Sequence, residues 1–179
     1  MTQVKTLKEI SNGDLFKIGE YEFIKFDEEN GIVTAVSKES LFNSEFGKNN
    51  DLRKSGILKK LKNEILPEIE SIIGAENVLE FETDLLSLDG SAEYGTMKSK
   101  VSLPTLDFYR RNRSVFEKYK LDGWWWLATP DSTPEYYNGN WCVCVSPSGN
   151  IIYYYFNYGN YGVRPFCILK SDIFVSCEE

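Results

Sequence analysis

The chain has 179 residues, with 20 Lys and Arg against 27 Asp and Glu, and it contains no histidine. A net charge of −7 argues against nucleic acid or an anionic membrane face as partner, because both are bound by basic surfaces. The absence of histidine removes the commonest general base, the commonest metal ligand and every Ser-His or Cys-His nucleophile pair.

This length suits a single domain over residues 1–179 that buries its own core. Met1-Thr2-Gln3-Val4-Lys5 opens into polar sequence instead of a signal h-region, and no apolar run is long enough to cross a bilayer. The expectation is a chain made in the cytoplasm without a signal peptide and without membrane insertion. Cys142, Cys144, Cys167 and Cys177 are too few and too unevenly spaced for a disulfide framework and read as buried or partly buried thiols.

In chain order, Leu15 to Ile18 and Tyr21 to Phe26 read as short strands, the second with Tyr21, Phe23 and Lys25 alternating against Glu22 and Ile24. Asp27 to Gly31 reads as a turn ending in Asn-Gly, and the β-branched run Ile32 to Val36 closes an antiparallel meander. Leu52, Ile57, Leu58, Leu61, Ile65 and Leu66 recur at helical spacing with lysines outside, which predicts an amphipathic helix that Pro67 ends or kinks. A further turn through Ile69, Ile72 and Ile73 stops at Gly74, and Val78 to Glu82 reads as a strand. Asp89 to Ser99 has loop chemistry. Leu106, Phe108, Tyr109 and Phe116 predict a second main helix ending near Lys120, with Arg110, Arg111 and Arg113 as a solvated helix end.

The composition then changes. All four tryptophans, Trp124, Trp125, Trp126 and Trp141, and seven of the eleven tyrosines lie between 124 and 161, while lysine is absent between Lys120 and Lys170. Trp141 to Val145 and Ile151 to Phe156 read as a strand pair around the turn Pro147 to Asn150. Consecutive aromatics at Tyr153, Tyr154, Tyr155 and Phe156 must point to both faces of a strand, so some are exposed, and strand parity is assigned with Tyr153 and Tyr155 outward. The segments Tyr136-Tyr137-Asn138-Gly139-Asn140 and Asn157-Tyr158-Gly159-Asn160-Tyr161 consist of the residue types that binding loops favour. Tyr gives amphipathic contact area at low entropy cost, and Asn gives adaptable hydrogen bonds. The candidate contact set is therefore Tyr136, Tyr137, Asn138, Asn140, Trp141, Tyr153, Tyr155, Asn157, Tyr158, Asn160 and Tyr161, expected to cluster on one exposed face.

Trp125-Trp126-Leu127-Ala128-Thr129-Pro130 resembles a Trp-Trp-Leu-Arg-Ser-Pro element, and Gly162-Val163-Arg164-Pro165-Phe166 resembles a Gly-Val-Arg-Pro-Ala element. Both belong to a bacterial and phage group of C-type-lectin-fold domains. That group is related to the formylglycine-generating-enzyme type and includes variable proteins of diversity-generating retroelements. The resemblance implies an α+β C-type-lectin-like fold, with small antiparallel sheets and two main helices, whose last strands and loops carry the ligand surface. It also implies a variable segment at about 128–164. In diversified members, Asn codons ending in a pyrimidine are mutagenised at adenine and cannot become Lys, Glu, Gln, Met or Trp. Between Asp131 and Tyr161 only Glu135 and Trp141 fall outside the permitted set. Ala128 and Thr129 depart from the Arg-Ser of the group, and the Glu-Pro-Asn and Trp-Asn-Asp elements of calcium-dependent sugar binding are missing, so calcium-mediated carbohydrate binding is not implied.

The functional expectation is a ligand-binding, receptor-binding or display protein that is not an enzyme and needs no cofactor. Its partner is a protein or cell-surface ligand, and another component places it on a virion or cell surface. The alternatives are a fixed structural or host-contact domain of the same fold and, further off, a formylglycine-generating-type enzyme holding copper at Cys142 and Cys144. Arg164 is expected to be scaffold, bonding carbonyls or a carboxylate near the turn after Gly162.

Overall fold

A computed structural model of the chain describes residues 2–178. The fold is mixed α+β, dominated by antiparallel sheet, with one main helix. In the first half the strands are β1 (Thr2–Thr6), β2 (Leu15–Ile18), β3 (Tyr21–Glu29), β4 (Ile32–Ser37), β5 (Phe42–Ser44), β6 (Val78–Leu79), β7 (Phe81–Asp84) and β8 (Thr96–Ser99). The second half adds β9 (Trp125–Pro130), β10 (Trp141–Val145), β11 (Ile151–Tyr155), β12 (Tyr161–Val163), β13 (Phe166–Lys170) and β14 (Phe174–Glu178). A seven-stranded sheet runs β1-β14-β2-β3-β4-β13-β6, a five-stranded sheet runs β11-β10-β9-β12-β5, and β7 and β8 form a separate pair.

The predicted meander is present as β2-β3-β4. Its last turn is tighter than expected: Asp27 to Glu29 continue β3, and only Asn30 and Gly31 turn, both at positive φ (53° and 77°), as a type I′ hairpin requires. Thr96 to Ser99, expected as loop, is the strand β8, because it finds a partner in β7 that the local sequence does not announce. Strands β1, β13 and β14 close the large sheet from opposite ends of the chain, with β1 paired along its length to β14.

Pro67 does not stop the main helix. The helix runs through an α segment Gly56–Lys60, a π-wound turn Leu61–Ile65 and a second α segment Leu66–Ile73, which ends where Gly74 takes φ 89°. The Leu66 N–H bonds back five residues to the Leu61 carbonyl, so the wider turn immediately before Pro67 absorbs the missing donor and the ring. The second expected main helix is instead two short ones, Leu106–Arg111 and Arg113–Lys118, separated at Asn112. Arg110 and Arg113 pair with Asp107 and Glu117 on this exposed side.

The run of tryptophans is explained by two core clusters on opposite faces of the five-stranded sheet. Trp126, Ala128, Cys142 and Cys144 join the cluster that contains the main helix, and Trp125, Leu127, Val143 and Val145 join the cluster under the two short helices. A strand covered on both faces reads as a continuous apolar run, which is why every residue of β9 is buried. The same holds for β3, where Phe23 to Phe26 are all buried. There Lys25 satisfies its ammonium on the Leu7 and Ile10 carbonyls (3.1 and 2.7 Å) and on the Glu28 carboxylate.

Strand β12 lies between β9, to which it is parallel, and β5. A Cβ on Gly162 would meet Ser40 Oγ at 1.9 Å and the Trp124 carbonyl at 3.2 Å, so only glycine lets the chain pass there. Two residues on, Arg164 is 1% exposed. Its Nε donates to the Ser37 carbonyl at 3.0 Å, and its guanidinium lies 4.7 Å from the Trp125 ring and 5.1 Å from that of Phe116. Desolvation lowers its pKa to about 10, with Glu39 opposing the shift. The carbonyl bond expected of Arg164 is thus present, and the aromatic stacking is additional.

Among the described residues no helix is long and apolar enough to cross a membrane.

Candidate functional site

Strand register decides where the candidate residues go. Trp141 pairs with Tyr155, so the loop that enters β10 (131–140) and the loop that leaves β11 (156–160) emerge from the same end of one hairpin. The Phe156 N–H donates to the Asn140 carbonyl at 2.9 Å and ties the two loops together where they leave the sheet.

Both loops rest on residues 46–50. The Phe46 N–H donates to the Phe156 carbonyl at 2.8 Å, and the Asn50 N–H donates to the Gly139 carbonyl at 2.8 Å. Asn50 is fully buried and uses its whole side chain. Nδ2 donates to the carbonyls of Ser132 and Trp141, each at 2.8 Å, and Oδ1 accepts from the Tyr94 hydroxyl at 2.8 Å. A second set of bonds comes from residues 87–93. Ser132 Oγ donates to Asp89, Thr133 Oγ1 to Ser91 Oγ, Ser91 Oγ to Glu135, and the Glu135 N–H to the Glu93 carboxylate, all between 2.6 and 2.8 Å. The Ser132 and Ser87 hydroxyls hold the Asp89 carboxyl below its usual range. Burial, reinforced by the charge of Asp89, pushes the Asp131 carboxyl up.

On this braced frame Tyr136 and Tyr137 are exposed (64% and 74%), as are Asn157, Tyr158 and Asn160. Asn138 and Asn140 are half-buried and partly spent on shape, the Asn138 side chain accepting from the Asn140 N–H at 3.0 Å. The assigned parity matches the placement. Tyr153 and Tyr155 share one face with Trp141, whose ring centroid lies 5.7 and 5.1 Å from theirs, while Tyr154 and Phe156 pack against the cluster on the other face. Tyr153 is exposed, whereas Tyr155 and Trp141 are half-buried.

Two corrections follow. Tyr161 is not a surface residue: it is buried between Trp124 (5.5 Å, stacked) and Trp126 (4.6 Å), because β12 is held between β9 and β5 and its side chain turns into the core. Nor do the candidates share one face. Tyr158 stacks on Tyr154 at 5.2 Å, on the face opposite Tyr153, so the set wraps around the hairpin end and its outer strand. The exposed apolar residues Ile151 and Ile152 belong to this region and were not singled out from the sequence; their place on the outermost strand was the missing information. Asn50 and the 87–93 strap were also missed, since nothing local links them to a loop more than forty residues away.

All four thiols are unpaired and buried. Desolvation raises Cys144 and Cys167 to about 12 and Cys142 well above its ordinary value. Among the described residues no group of three or more Cys, Asp or Glu is arranged to hold a metal ion.

No protein-family model, no curated protein and no solved structure matches this chain.

Proposed function

We propose that the chain is a ligand-binding module of C-type-lectin-like fold whose contact surface is the loop end of the β10–β11 hairpin together with the outer strand β11. The observation that carries this reading is that exposed Tyr136 and Tyr137 lie on a loop anchored by the buried Asn50 amide, and exposed Tyr158 on a loop tied to it and to Phe46 by the backbone of Phe156. Exposed tyrosines on pre-organised loops offer contact area without a large ordering cost, which is the economy of a binding surface. The partner is a protein or cell-surface ligand, met on a virion or cell surface where another component displays the module.

Retroelement diversification of the segment is part of the proposal. The two residues outside the set reachable from mutagenised Asn codons, Glu135 and Trp141, both have structural roles. Glu135 closes the Ser91 and Glu93 strap, and Trp141 gives its carbonyl to Asn50 and its ring to Tyr153 and Tyr155. A segment varied on a fixed scaffold needs such invariant points. Non-catalytic function fits the burial of all four thiols, which keeps them from a substrate in solution.

The test is a library randomised at Tyr136, Tyr137, Asn157, Tyr158 and Asn160. Most members should fold and melt close to the parent, and panning against an arbitrary folded protein should yield binders. A library that mostly unfolds would assign these side chains to the fold. Diversification itself requires a neighbouring reverse transcriptase gene and a near-identical copy of the coding region for residues 128–164 that differs only at adenines; a locus without both removes that part.

A further inference from the structure

Sheets end in edge strands, and an unpaired edge invites another chain unless charge, shortness or a cover blunts it. In this protein β1 carries Lys5, β5 has three residues, β6 has two, and the β7–β8 pair is lined by Glu82, Asp84 and Lys98. The outer strand of the five-stranded sheet, β11, is different. It is Ile-Ile-Tyr-Tyr-Tyr, pairs on one side only, and lies in a stretch, residues 136–163, without a single Asp, Glu, Lys or Arg.

Hydrogen-bond parity shows which of its backbone groups are free. The turn closes with the Ser146 N–H on the Asn150 carbonyl (2.9 Å), and the far end closes with the Phe156 N–H on the Asn140 carbonyl (2.9 Å). Bonded and non-bonded pairs alternate in an antiparallel ladder. Cys144–Ile152 and Cys142–Tyr154 are therefore the bonded pairs, and the N–H and C=O groups of Ile151, Tyr153 and Tyr155 point away from β10. Of these, the Tyr155 carbonyl already accepts the Tyr158 N–H at 2.9 Å.

We propose that β11 pairs with β11 of a second copy of this chain, antiparallel about a two-fold axis at Tyr153, joining two five-stranded sheets into one. In this register all three outward-facing residues find outward-facing partners, Tyr153 with Tyr153 and Ile151 with Tyr155. The inward-bonded residues align as Ile152 with Tyr154. Every cross-strand pair is then aromatic with aliphatic or aromatic with aromatic, the combinations that stabilise antiparallel pairs. The neutral strip lets two chains of net charge −7 meet without opposing like charges. An isologous contact of this kind closes on itself, so association stops at the dimer. The pairing uses backbone groups of β11 and leaves its side-chain faces open, and it sets one loop end at each end of the joined sheet, so the consequence for the proposed surface is bivalency with the two loop ends facing opposite ways.

The experiment is sedimentation velocity on the full chain across a concentration series, for wild type, Tyr153→Lys, Tyr153→Glu and an equimolar mixture of the two variants. The wild type is expected to dimerise. Each variant alone is expected to be monomeric, its dimer dissociation constant weakened by about tenfold or more, because position 153 faces itself. The mixture is expected to recover a dimer. A wild type monomeric throughout, a Tyr153→Lys variant that stays dimeric, or a folded mixture that stays monomeric overturns the proposal. Amide exchange on the wild type needs no variant: the Tyr153 N–H should be protected at high concentration and exposed on dilution, and a concentration-independent rate overturns the pairing. Neither readout involves a ligand, so the outcome is separable from that of the randomised-loop library.

Discussion

Asn50 Nδ2 lies 2.8 Å from the carbonyl oxygen of Trp141, although the two residues are ninety-one positions apart in sequence. This bond joins the segment before the main helix to the first residue of β10, and through the same amide group to Ser132 at the root of the tyrosine loop. The exposed loop owes its position to a residue with no surface in contact with solvent.

Replacing Asn50 by Ala should therefore cost about 2–3 kcal/mol, because it strands the Ser132 carbonyl and the Tyr94 hydroxyl and leaves the Trp141 carbonyl with the Asp131 N–H alone. Chemical denaturation measures the loss. In the variant that still folds, amides of residues 133–140 should exchange faster than those of β9. A cost near zero would mean that the loop is held by the 87–93 strap alone.

The tyrosines should divide sharply. Tyr136→Ser, Tyr137→Ser and Tyr158→Ser are each expected to change stability by about 0.5 kcal/mol or less, since these side chains are exposed. Tyr161→Ser should cost about 3 kcal/mol or more, because it removes a ring packed between Trp124 and Trp126. Urea midpoints for the four variants decide the division, and equal costs would contradict the placement of β12.

The thiols give a pH dependence of known sign. Cys144 and Cys167 have folded values raised from 9.0 to about 12 by burial, so their contribution to stability is complete below about 9 and is lost as pH climbs toward 12. Denaturant midpoints should fall across that window, and Cys167→Ala should flatten the fall. At pH 8 iodoacetamide should leave the native protein unlabelled and label all four thiols after unfolding.

Arg164 tests how a buried cation is tolerated. Its Nη2 has no partner among the described residues, while its flat guanidinium packs on Trp125 and Phe116. Arg164→Met keeps the contact area and removes the desolvated charge, so it should cost less than Arg164→Lys, which keeps a compact charge and loses the planar stacking. Arg164→Ala should cost about 3–4 kcal/mol through the cavity it leaves. Thermal melts rank the three, and a Lys variant more stable than the Met variant would contradict this account.

The amino-acid sequence alone sets the local elements. Period-two alternation, the Asn-Gly turn and the helical spacing from Leu52 onward place β2, β3, β4, β10, β11 and the main helix, because these depend on side-chain period and on turn chemistry within a few residues. It also determined that the 136–161 stretch is uncharged up to its last residue and rich in tyrosine. Which tyrosines reach solvent was a tertiary matter. Tyr158 and Tyr161 are three residues apart in one polar, glycine-containing segment, yet one is exposed and the other buried, because β12 is trapped between β9 and a strand formed 117 positions earlier, where Tyr161 pairs with Ser44. The strand at Thr96 to Ser99 and the brace at Asn50 have the same origin. Each depends on a partner distant in the chain, and neither composition nor periodicity records who that partner is.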